Sequence, residues 1–392
     1  MDPFMRECSG GAIVGLGITD NRVDDRSAAD FAAEAVHLAI SDAGLRLDDV
    51  DGLLVSSGKS GGVDVKLASR LGLRDLGILT QVAQAGSTAN AQVQLAALAI
   101  AGGLATTVVC VHADAPLKPS KRAGDAYRAP AGAGGTGFRG LSTVAGPRNP
   151  NGGYALAARR HMNRFGTTSE QLGAIAVAQR EWAASNPHAR FRDPLTIADH
   201  QQSRWVVEPL HLLDCCMVSN GGVAVVVTSA ERARHLPQPP VYVRGWAQSH
   251  PGYRMERGSD WGLRTGAAIA GPAAMKMAGI TPTDIDIRQI YDCYTYTVLV
   301  TLEDYGFCDK GEGGALAASG VLAPGGSLPT NTGGGQLSSF YLWGMTPLSE
   351  AIIQIRGQGG ARQVPRHETA IVSGNGGILD HHSTLVLGAQ SR

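Results

Sequence analysis

The sequence predicts a duplicated α/β protein, in which one strand–helix–strand unit occurs twice along 392 residues. A buried strand at 11–18 leads into an amphipathic helix at 27–44 and then, through an acidic turn, into a second strand that ends at 57. The same order returns in the second half, with a strand at 240–246 and a helix near 264–278, followed by IRQIYDCY. Because strand–helix–strand units place their strands parallel, the repeat predicts parallel pairing in both halves.

Short matches fix the offset between the two copies. Ala43-Gly44-Leu45 corresponds to Ala278-Gly279-Ile280, and Asp49-Val50-Asp51 corresponds to Asp284-Ile285-Asp286. In each copy the glycine ends the helix and the acidic turn precedes the next strand. We therefore expect an N-terminal half at 1–235 and a C-terminal half at 236–392.

A second pair of segments matches in the same order. In the first half a small-residue helix at 88–101 follows Gly86 and precedes a strand at 108–113. In the second half a helix near 343–356 follows three glycines and precedes a strand at 369–374. Two correspondences that keep their order favour a duplicated unit over a chance likeness.

Composition excludes several classes of protein. The chain has 34 basic and 34 acidic residues, whereas general nucleic-acid binding usually needs a basic excess. No run of about 18 apolar residues and no signal-peptide pattern occurs, so we expect a cytoplasmic protein without a membrane span. The six cysteines form no C-x-x-C pair, which argues against a disulfide scaffold or a structural zinc site.

The stretch 115–153 is rich in glycine and proline and interrupts the first copy. It is either a solvated excursion or a basic flap over an anionic ligand such as the phosphates of coenzyme A. Its basic residues are Lys118, Lys121, Arg122, Arg128, Arg139 and Arg148.

Three stretches together resemble the thiolase superfamily, in its sterol-carrier-protein or lipid-transfer-protein branch. They are NPHARFRDPLT (186–196), PLHLLDCCMVSNGGVAVVVTS (209–229) and GNGG (374–377). The resemblance implies a thiolase fold, whose duplicated βαβαβαββ halves form a five-layer αβαβα sandwich, with a homodimer at its centre.

The family's catalytic motifs are present, but their reactive residues are replaced. Gly86 stands where the nucleophilic Cys of a Q-A-C-S-S-G motif is expected. Tyr341 replaces the His that activates that Cys, and Tyr291 replaces the His or Asn of the oxyanion hole. Ser373 stands at the late Cys of ordinary thiolases. Thiolase chemistry through an acyl-enzyme therefore has no nucleophile at the usual place.

These replacements are similar to those of lipid-transfer-protein-type aldolases of bacterial steroid degradation. That likeness implies a lyase of cholesterol catabolism, which cleaves a 17-hydroxy steroid acyl-CoA into a ketone and a shortened acyl-CoA such as propionyl-CoA. Tyr291 and Tyr341 would be the acid–base pair, and Tyr341 is our choice for the base. Either assignment remains open from the sequence. The resemblance also implies a small OB-fold, zinc-ribbon partner subunit in a heterotetramer.

Other residues are candidates for substrate binding. Gly86, Gly334, Gly335 and Gly376 are expected to give close backbone approach to the thioester. Arg254, Arg257 and Arg264 are candidate contacts for the pyrophosphate of coenzyme A. Coenzyme A enters as part of the substrate, and we expect no permanently bound cofactor and no metal.

Several alternatives remain open. The chain could be a thiolase-type acyltransferase, either independent of cysteine or dependent on Cys293, or a non-catalytic acyl-CoA-binding homologue. Asp292 could orient a donor or cap a helix, and Tyr294 and Tyr296 are interpreted mainly as packing residues. His112 at a strand end could face the cavity. The remaining histidine candidate, His381-His382, has no third ligand nearby in sequence.

Overall fold

The protein is described by a computed structural model that covers residues 11–119, 123, 126, 140, 144–146, 149–252 and 258–391. Within these ranges no helix is both long enough and apolar enough to cross a membrane.

The strands are β1 (Gly11–Ile18), β2 (Gly52–Ser57), β3 (Ile78–Gln81), β4 (Thr107–Asp114), β5 (Trp205–Val207), β6 (Leu210–His211), β7 (Gly221–Ser229), β8 (Val241–Ser249), β9 (Ile287–Gln289), β10 (Thr369–Gly376) and β11 (His381–Gly388). The helices are α1 (Ala28–Asp42), α2 (Leu67–Leu71), α3 (Thr88–Ala101), α4 (Pro150–Phe165), α5 (Ser169–Ala183), α6 (Ile197–Gln202), α7 (Ala230–Ala233), α8 (Ala267–Ala278), α9 (Thr295–Asp304), α10 (Gly313–Ala318), α11 (Gly335–Ser338) and α12 (Met345–Ile355).

The strand order confirms the duplicated α/β fold. Nine strands are hydrogen-bonded in the order β3-β2-β4-β7-β1-β8-β11-β10-β9. In the first half, β2 pairs with β4 in parallel, whereas β4–β7 and β7–β1 are antiparallel. In the second half, β9 pairs with β10 in parallel, whereas β10–β11 and β11–β8 are antiparallel. The two halves therefore share one topology and meet at β1 and β8. The pairs Ala12↔Tyr242 and Ile13↔Val241 join the two halves into one continuous sheet.

Helices and strands alternate in the layers that the fold requires. Helices α3 and α12 contact each other and contact strands of both halves, so they lie between the two parts of the sheet. Helix α1 packs on β1, β4 and β7, and α8 packs on β8 and β11, on the outer faces. The apolar side chains follow this division, because Val108 belongs to the inner core and its neighbour Val109 to an outer core.

The repeated acidic turns make equivalent hydrogen bonds in both copies. Asp49 accepts a hydrogen bond from the Arg46 N–H, and Asp284 accepts one from the Thr281 N–H, each at 2.8 Å. Two residues later, Asp51 accepts from the Thr107 N–H and Asp286 from the Thr369 N–H. Each aspartate pair thus joins a turn to the start of the neighbouring strand. This shared role explains why the motif occurs in both halves.

One predicted strand is shorter than its sequence pattern suggests. The IRQIYDCY segment forms a strand only over Ile287–Gln289. The chain then leaves the sheet, because Ile290 N–H donates to the Asn331 side-chain oxygen at 2.7 Å rather than to a strand. Tyr291 consequently lies just beyond the carboxyl end of β9, where open α/β sheets hold their ligands.

Candidate active site

The two candidate catalytic tyrosines meet at the carboxyl ends of β9 and β10. Their hydroxyl oxygens are 3.4 Å apart, and either hydroxyl can donate the hydrogen. The Tyr291 side chain is buried, with the residue 3% exposed, whereas Tyr341 is half-buried. The structure therefore brings together residues that are 50 positions apart in sequence.

Two serines hold the backbone of this pair. Tyr291 N–H donates to Ser373 Oγ at 2.8 Å, and Tyr341 N–H donates to Ser219 Oγ at 2.9 Å. Ser373 stands at the position of the late cysteine of ordinary thiolases. Ser219 was missed as a site residue, although it lies in the long motif at 209–229, because sequence does not reveal which backbone group a serine accepts from.

The environment of Tyr291 favours the protonated phenol. Burial, with Tyr341 and Cys293 close by, raises the pKa of Tyr291 well above its ordinary value of 10.0. At neutral pH this residue therefore carries a proton and is suited to act as a hydrogen-bond donor or general acid.

Gly86 leaves the space that the ring of Tyr291 occupies. A Cβ atom on Gly86 would lie 2.2 Å from Tyr291 Cζ and 2.2 Å from the backbone oxygen of Asn375. No side chain fits there without movement, because carbon atoms in contact are normally about 3.5–4.0 Å apart. The glycine in place of the nucleophile and the tyrosine in place of His or Asn are thus sterically coupled.

The other three predicted glycines approach protein groups closely. A Cβ on Gly335 would be 2.1 Å from Asp292 Oδ2, and one on Gly376 would be 1.9 Å from the Gln84 oxygen. Gly334 has a φ of +92° and donates its N–H to the Asn331 oxygen at 2.8 Å, so that donor is already used. Their contact with a thioester stays a prediction.

Asp292 caps the short helix α11, which lies just before Tyr341 in the chain. Its carboxylate accepts hydrogen bonds from the N–H groups of Gln336 (2.8 Å) and Leu337 (3.3 Å), and from Gln336 Nε2 (3.1 Å). Of the two roles considered from the sequence, the cap is therefore the one observed. Burial raises the pKa of Asp292 to about 7, and the hydrogen bonds from Gln336 and Leu337 oppose that shift.

Cys293 has the environment of an inert thiol. It is 5% exposed, and burial raises its pKa to about 12. Burial also raises the pKa of Cys216 well above the ordinary thiol value, and that of Cys215, where nearby Asp214 adds to the effect. A nucleophilic cysteine needs a lowered pKa, so the Cys293-dependent acyltransferase alternative loses support.

The histidines form no metal centre in the part of the chain that the structure describes. No group of three or more His, Cys, Asp or Glu residues there could hold a metal ion. His382 is buried and bonds to the Tyr305 hydroxyl at 2.9 Å, whereas His381 Nδ1 lies 3.0 Å from His250 Nδ1. His112 stacks on Trp343 with ring centroids 4.8 Å apart, and burial lowers its pKa to about 4.

The predicted coenzyme A contacts are only partly described. Arg254 and Arg257 lie outside the described residues, as do five of the six basic residues of the 115–153 stretch. Arg264 is exposed and Lys118 is half-buried. The pyrophosphate contacts therefore remain predictions.

Fold and site together define a thiolase-fold protein whose nucleophile position holds a glycine and whose acid–base positions hold tyrosines. Residues 247–389 match the family described as thiolase C-terminal domain-like. The steroid side-chain-cleaving aldolase of Thermomonospora curvata is 40% identical over 363 residues, covering 88% of this chain and 90% of that protein. The 17-hydroxy-3-oxo-4-pregnene-20-carboxyl-CoA lyase of Mycobacterium tuberculosis is 39% identical, covering 96% and 98%.

Solved structures agree with these relatives. The Ltp2-ChsH2(DUF35) aldolase superposes with a TM-score of 0.87 at 37% identity, covering 98% of this chain and 99% of that one. Human mitochondrial 3-ketoacyl-CoA thiolase in complex with CoA gives a TM-score of 0.70 at 15% identity, covering 98% and 99%, which shows the fold alone. The chain belongs to the thiolase superfamily, in its branch of steroid side-chain-cleaving acyl-CoA aldolases.

Proposed function

We propose that this chain is a lyase that cleaves the side chain of a 17-hydroxy steroid acyl-CoA by a retro-aldol reaction. The observation that carries the proposal is the pair of tyrosine hydroxyls 3.4 Å apart beside Gly86, where a thiolase would hold its nucleophile. Such a pair can move a proton, and without the cysteine no acyl-enzyme can form by the thiolase route. The relatives of 39–40% identity are named for the same kind of cleavage.

In net, the reaction transfers one proton, from the 17-hydroxyl to Cα. A base removes the proton from the 17-hydroxyl, and the C17–O bond becomes a carbonyl as the bond between C17 and Cα breaks. The electron pair of that bond forms the enolate of the shortened thioester. An acid then protonates Cα, which yields the ketone and propionyl-CoA. No oxidant, reductant or added coenzyme A is consumed.

We assign the two proton transfers to the two tyrosines from their difference in burial. Tyr291 is buried with a raised pKa and is assigned as the acid that protonates Cα. Tyr341 is half-buried and is assigned as the base. The Tyr291 hydroxyl can donate to the Tyr341 oxygen, which stabilises a Tyr341 phenolate. The same contact lets the proton gained by Tyr341 pass to Tyr291 after each turnover.

The enolate oxygen needs hydrogen-bond donors from the backbone around the pair. A Cβ on Gly86 would meet the Tyr291 ring and one on Gly376 would meet the oxygen of nearby Gln84, whereas the Gly334 N–H is already bonded to Asn331. We therefore assign the hydrogen-bond donors for the enolate oxygen to the backbone near Gly86 and Gly376 rather than to the backbone near Gly334.

A direct assay tests the activity. The chain is incubated with 17-hydroxy-3-oxo-4-pregnene-20-carboxyl-CoA, and the ketone and propionyl-CoA are measured by mass spectrometry. The matched substrate without the 17-hydroxyl should remain intact, because it has no proton for the base to remove. Consumption of free coenzyme A with a β-ketoacyl-CoA, and no cleavage of the hydroxylated substrate, would instead establish the acyltransferase alternative.

The partner and the assembly belong to the same proposal. The solved relative combines an aldolase with ChsH2(DUF35), which supports a partner subunit here, and the family resemblance implies that it is a small OB-fold, zinc-ribbon protein. We expect a heterotetramer with a homodimer of this chain at its centre, acting in the cytoplasm. Co-expression followed by size-exclusion chromatography with light scattering should give two copies of each chain. A chain that is fully active alone would remove the need for the partner.

A further inference from the structure

A third tyrosine contacts both segments that surround the catalytic pair. Tyr154, on α4, is 3% exposed, and its hydroxyl donates to the Gly377 oxygen at 2.9 Å and accepts from Asn375 Nδ2 at 3.2 Å. Its ring packs on Tyr294 with centroids 4.6 Å apart and planes inclined by 34°. One side chain therefore joins the glycine-rich loop at 374–377 to the segment that begins with Tyr291.

The loop held by Tyr154 lies directly against Tyr291. A single point beside Gly86, where its Cβ would be, is 2.2 Å from the Asn375 oxygen and 2.2 Å from Tyr291 Cζ. No further atom fits between the Asn375 backbone, the Gly86 backbone and the Tyr291 ring. A movement of Asn375 would be passed on to the ring that carries the Tyr291 hydroxyl.

Helix α4 is fitted closely to both segments. The Tyr294 hydroxyl donates to Asn151 Oδ1 in the first turn of the helix. A Cβ on Gly153 would lie 2.7 Å from Ile378 Cδ1, so a glycine allows the helix to approach the loop. Tyr154 is therefore part of a shaped contact rather than an isolated hydrogen bond.

The bonding of its hydroxyl separates Tyr154 from the acid–base pair. Its hydroxyl bonds to a backbone carbonyl, which does not take up a proton, and to an amide, and it also contacts the buried thiol of Cys293. We propose that Tyr154 is a positioning residue, which fixes the 374–377 loop and through it the ring of Tyr291. The inference rests on the proposed aldolase function and extends it to a residue whose hydroxyl bonds to the 374–377 loop.

Tyr154→Phe and Tyr294→Phe are matched variants, because each removes one hydroxyl from the same stacked pair of rings. We expect Tyr154→Phe to lower kcat about 10- to 100-fold, the scale of a small misplacement of reacting groups. KM for the acyl-CoA should stay within about twofold and the inflections of the pH–rate profile should not move, because neither binding nor the titrating groups change. Tyr294→Phe should cost less than about tenfold.

An activity-independent measurement distinguishes this inference from the proposed function. Hydrogen–deuterium exchange should become faster at the amides of residues 374–378 in Tyr154→Phe but not in Tyr294→Phe. Asn375→Ala removes the amide from the same hydroxyl and serves as the second variant if Tyr154→Phe does not fold. The double variant should have a kcat only slightly below that of the more impaired single variant, because both substitutions break the same hydrogen bond between Tyr154 and Asn375.

Two results would overturn the positioning role. The first is normal kcat and normal exchange at 374–378 in Tyr154→Phe. The second is a rise in KM alone, which would make Tyr154 a substrate-binding residue. If the wild-type chain does not cleave the steroid thioester but the exchange result is as expected, the proposed function fails while the structural link from Tyr154 to the loop stands.

Discussion

Replacing Gly86 by alanine tests the coupling between the missing nucleophile and the tyrosine pair. The added Cβ would lie 2.2 Å from Tyr291 Cζ, 2.4 Å from Tyr291 Cε2 and 2.2 Å from the Asn375 oxygen. To reach a contact of about 3.5 Å, the ring or the backbone must move by roughly 1.3 Å. The Tyr291 hydroxyl is attached to Cζ and moves with it.

The consequences follow from that displacement. The Tyr291–Tyr341 hydroxyl contact is already 3.4 Å, so any lengthening breaks the hydrogen bond. A misplacement of about 1 Å can cost about 10²-fold in rate, and we expect that loss in kcat. Overpacking of a full core costs about 1–3 kcal/mol, which we expect as the loss in the free energy of unfolding.

The assay is single-turnover cleavage of the steroid thioester together with urea unfolding of each variant. Gly102→Ala is the control, because Gly102 ends α3 with a φ of −82° and its nearest neighbour, the Leu98 oxygen, is 3.2 Å from the added Cβ. Because Gly102 is exposed, Gly102→Ala should change the free energy of unfolding by less than about 0.5 kcal/mol and leave the cleavage rate unchanged. Wild-type rate and stability in Gly86→Ala would refute the steric argument.

Three further predictions follow from the site. Tyr291→Phe and Tyr341→Phe should each lower kcat by about 10²–10⁴-fold in single-turnover assays while the melting temperature stays near that of the wild type; near-normal rates in both would remove the mechanism and favour a binding protein. Iodoacetamide at neutral pH should leave turnover largely intact, because burial raises the pKa of Cys293 to about 12; loss of activity in step with labelling of Cys293 would support the acyltransferase alternative. Burial lowers the pKa of His112 from 6.5 to about 4, so the unfolded chain takes up this proton at a higher pH than the folded chain does. As the pH falls from 6.5 to about 4, the wild type should therefore lose stability relative to His112→Phe. A melting temperature that changes with pH in the same way in both proteins would contradict this prediction.

The sequence by itself determined the architecture of the protein. The matched turns at Asp49–Asp51 and Asp284–Asp286 placed the duplication correctly, because each aspartate makes local hydrogen bonds that any copy of the unit must make. The helix at 27–44 could be located because Ser27 caps it through the Asp30 N–H and Gly44 ends it with a φ of +66°. Such signals depend on residues a few positions apart and can be recognised without knowledge of the fold.

The identities of the site residues were also available from the sequence, through their positions in long motifs. Gly86, Tyr291 and Tyr341 could be named because each replaces a defined residue of a known pattern. The motif could not say why Gly86 accompanies Tyr291, since the reason is that a Cβ on Gly86 would lie only 2.2 Å from Tyr291 Cζ, in a segment about 200 residues away.

Only the tertiary structure decided how the site is held together. The joining of the two halves at β1 and β8, the early end of β9 at Gln289 and the cap formed by Asp292 all depend on which backbone groups meet in space. Tyr154 reaches the loop at 374–377 from a helix more than 200 positions away, so no local pattern marks it. A buried polar group must find a partner, and the folded chain alone determines which partner is close enough to bond.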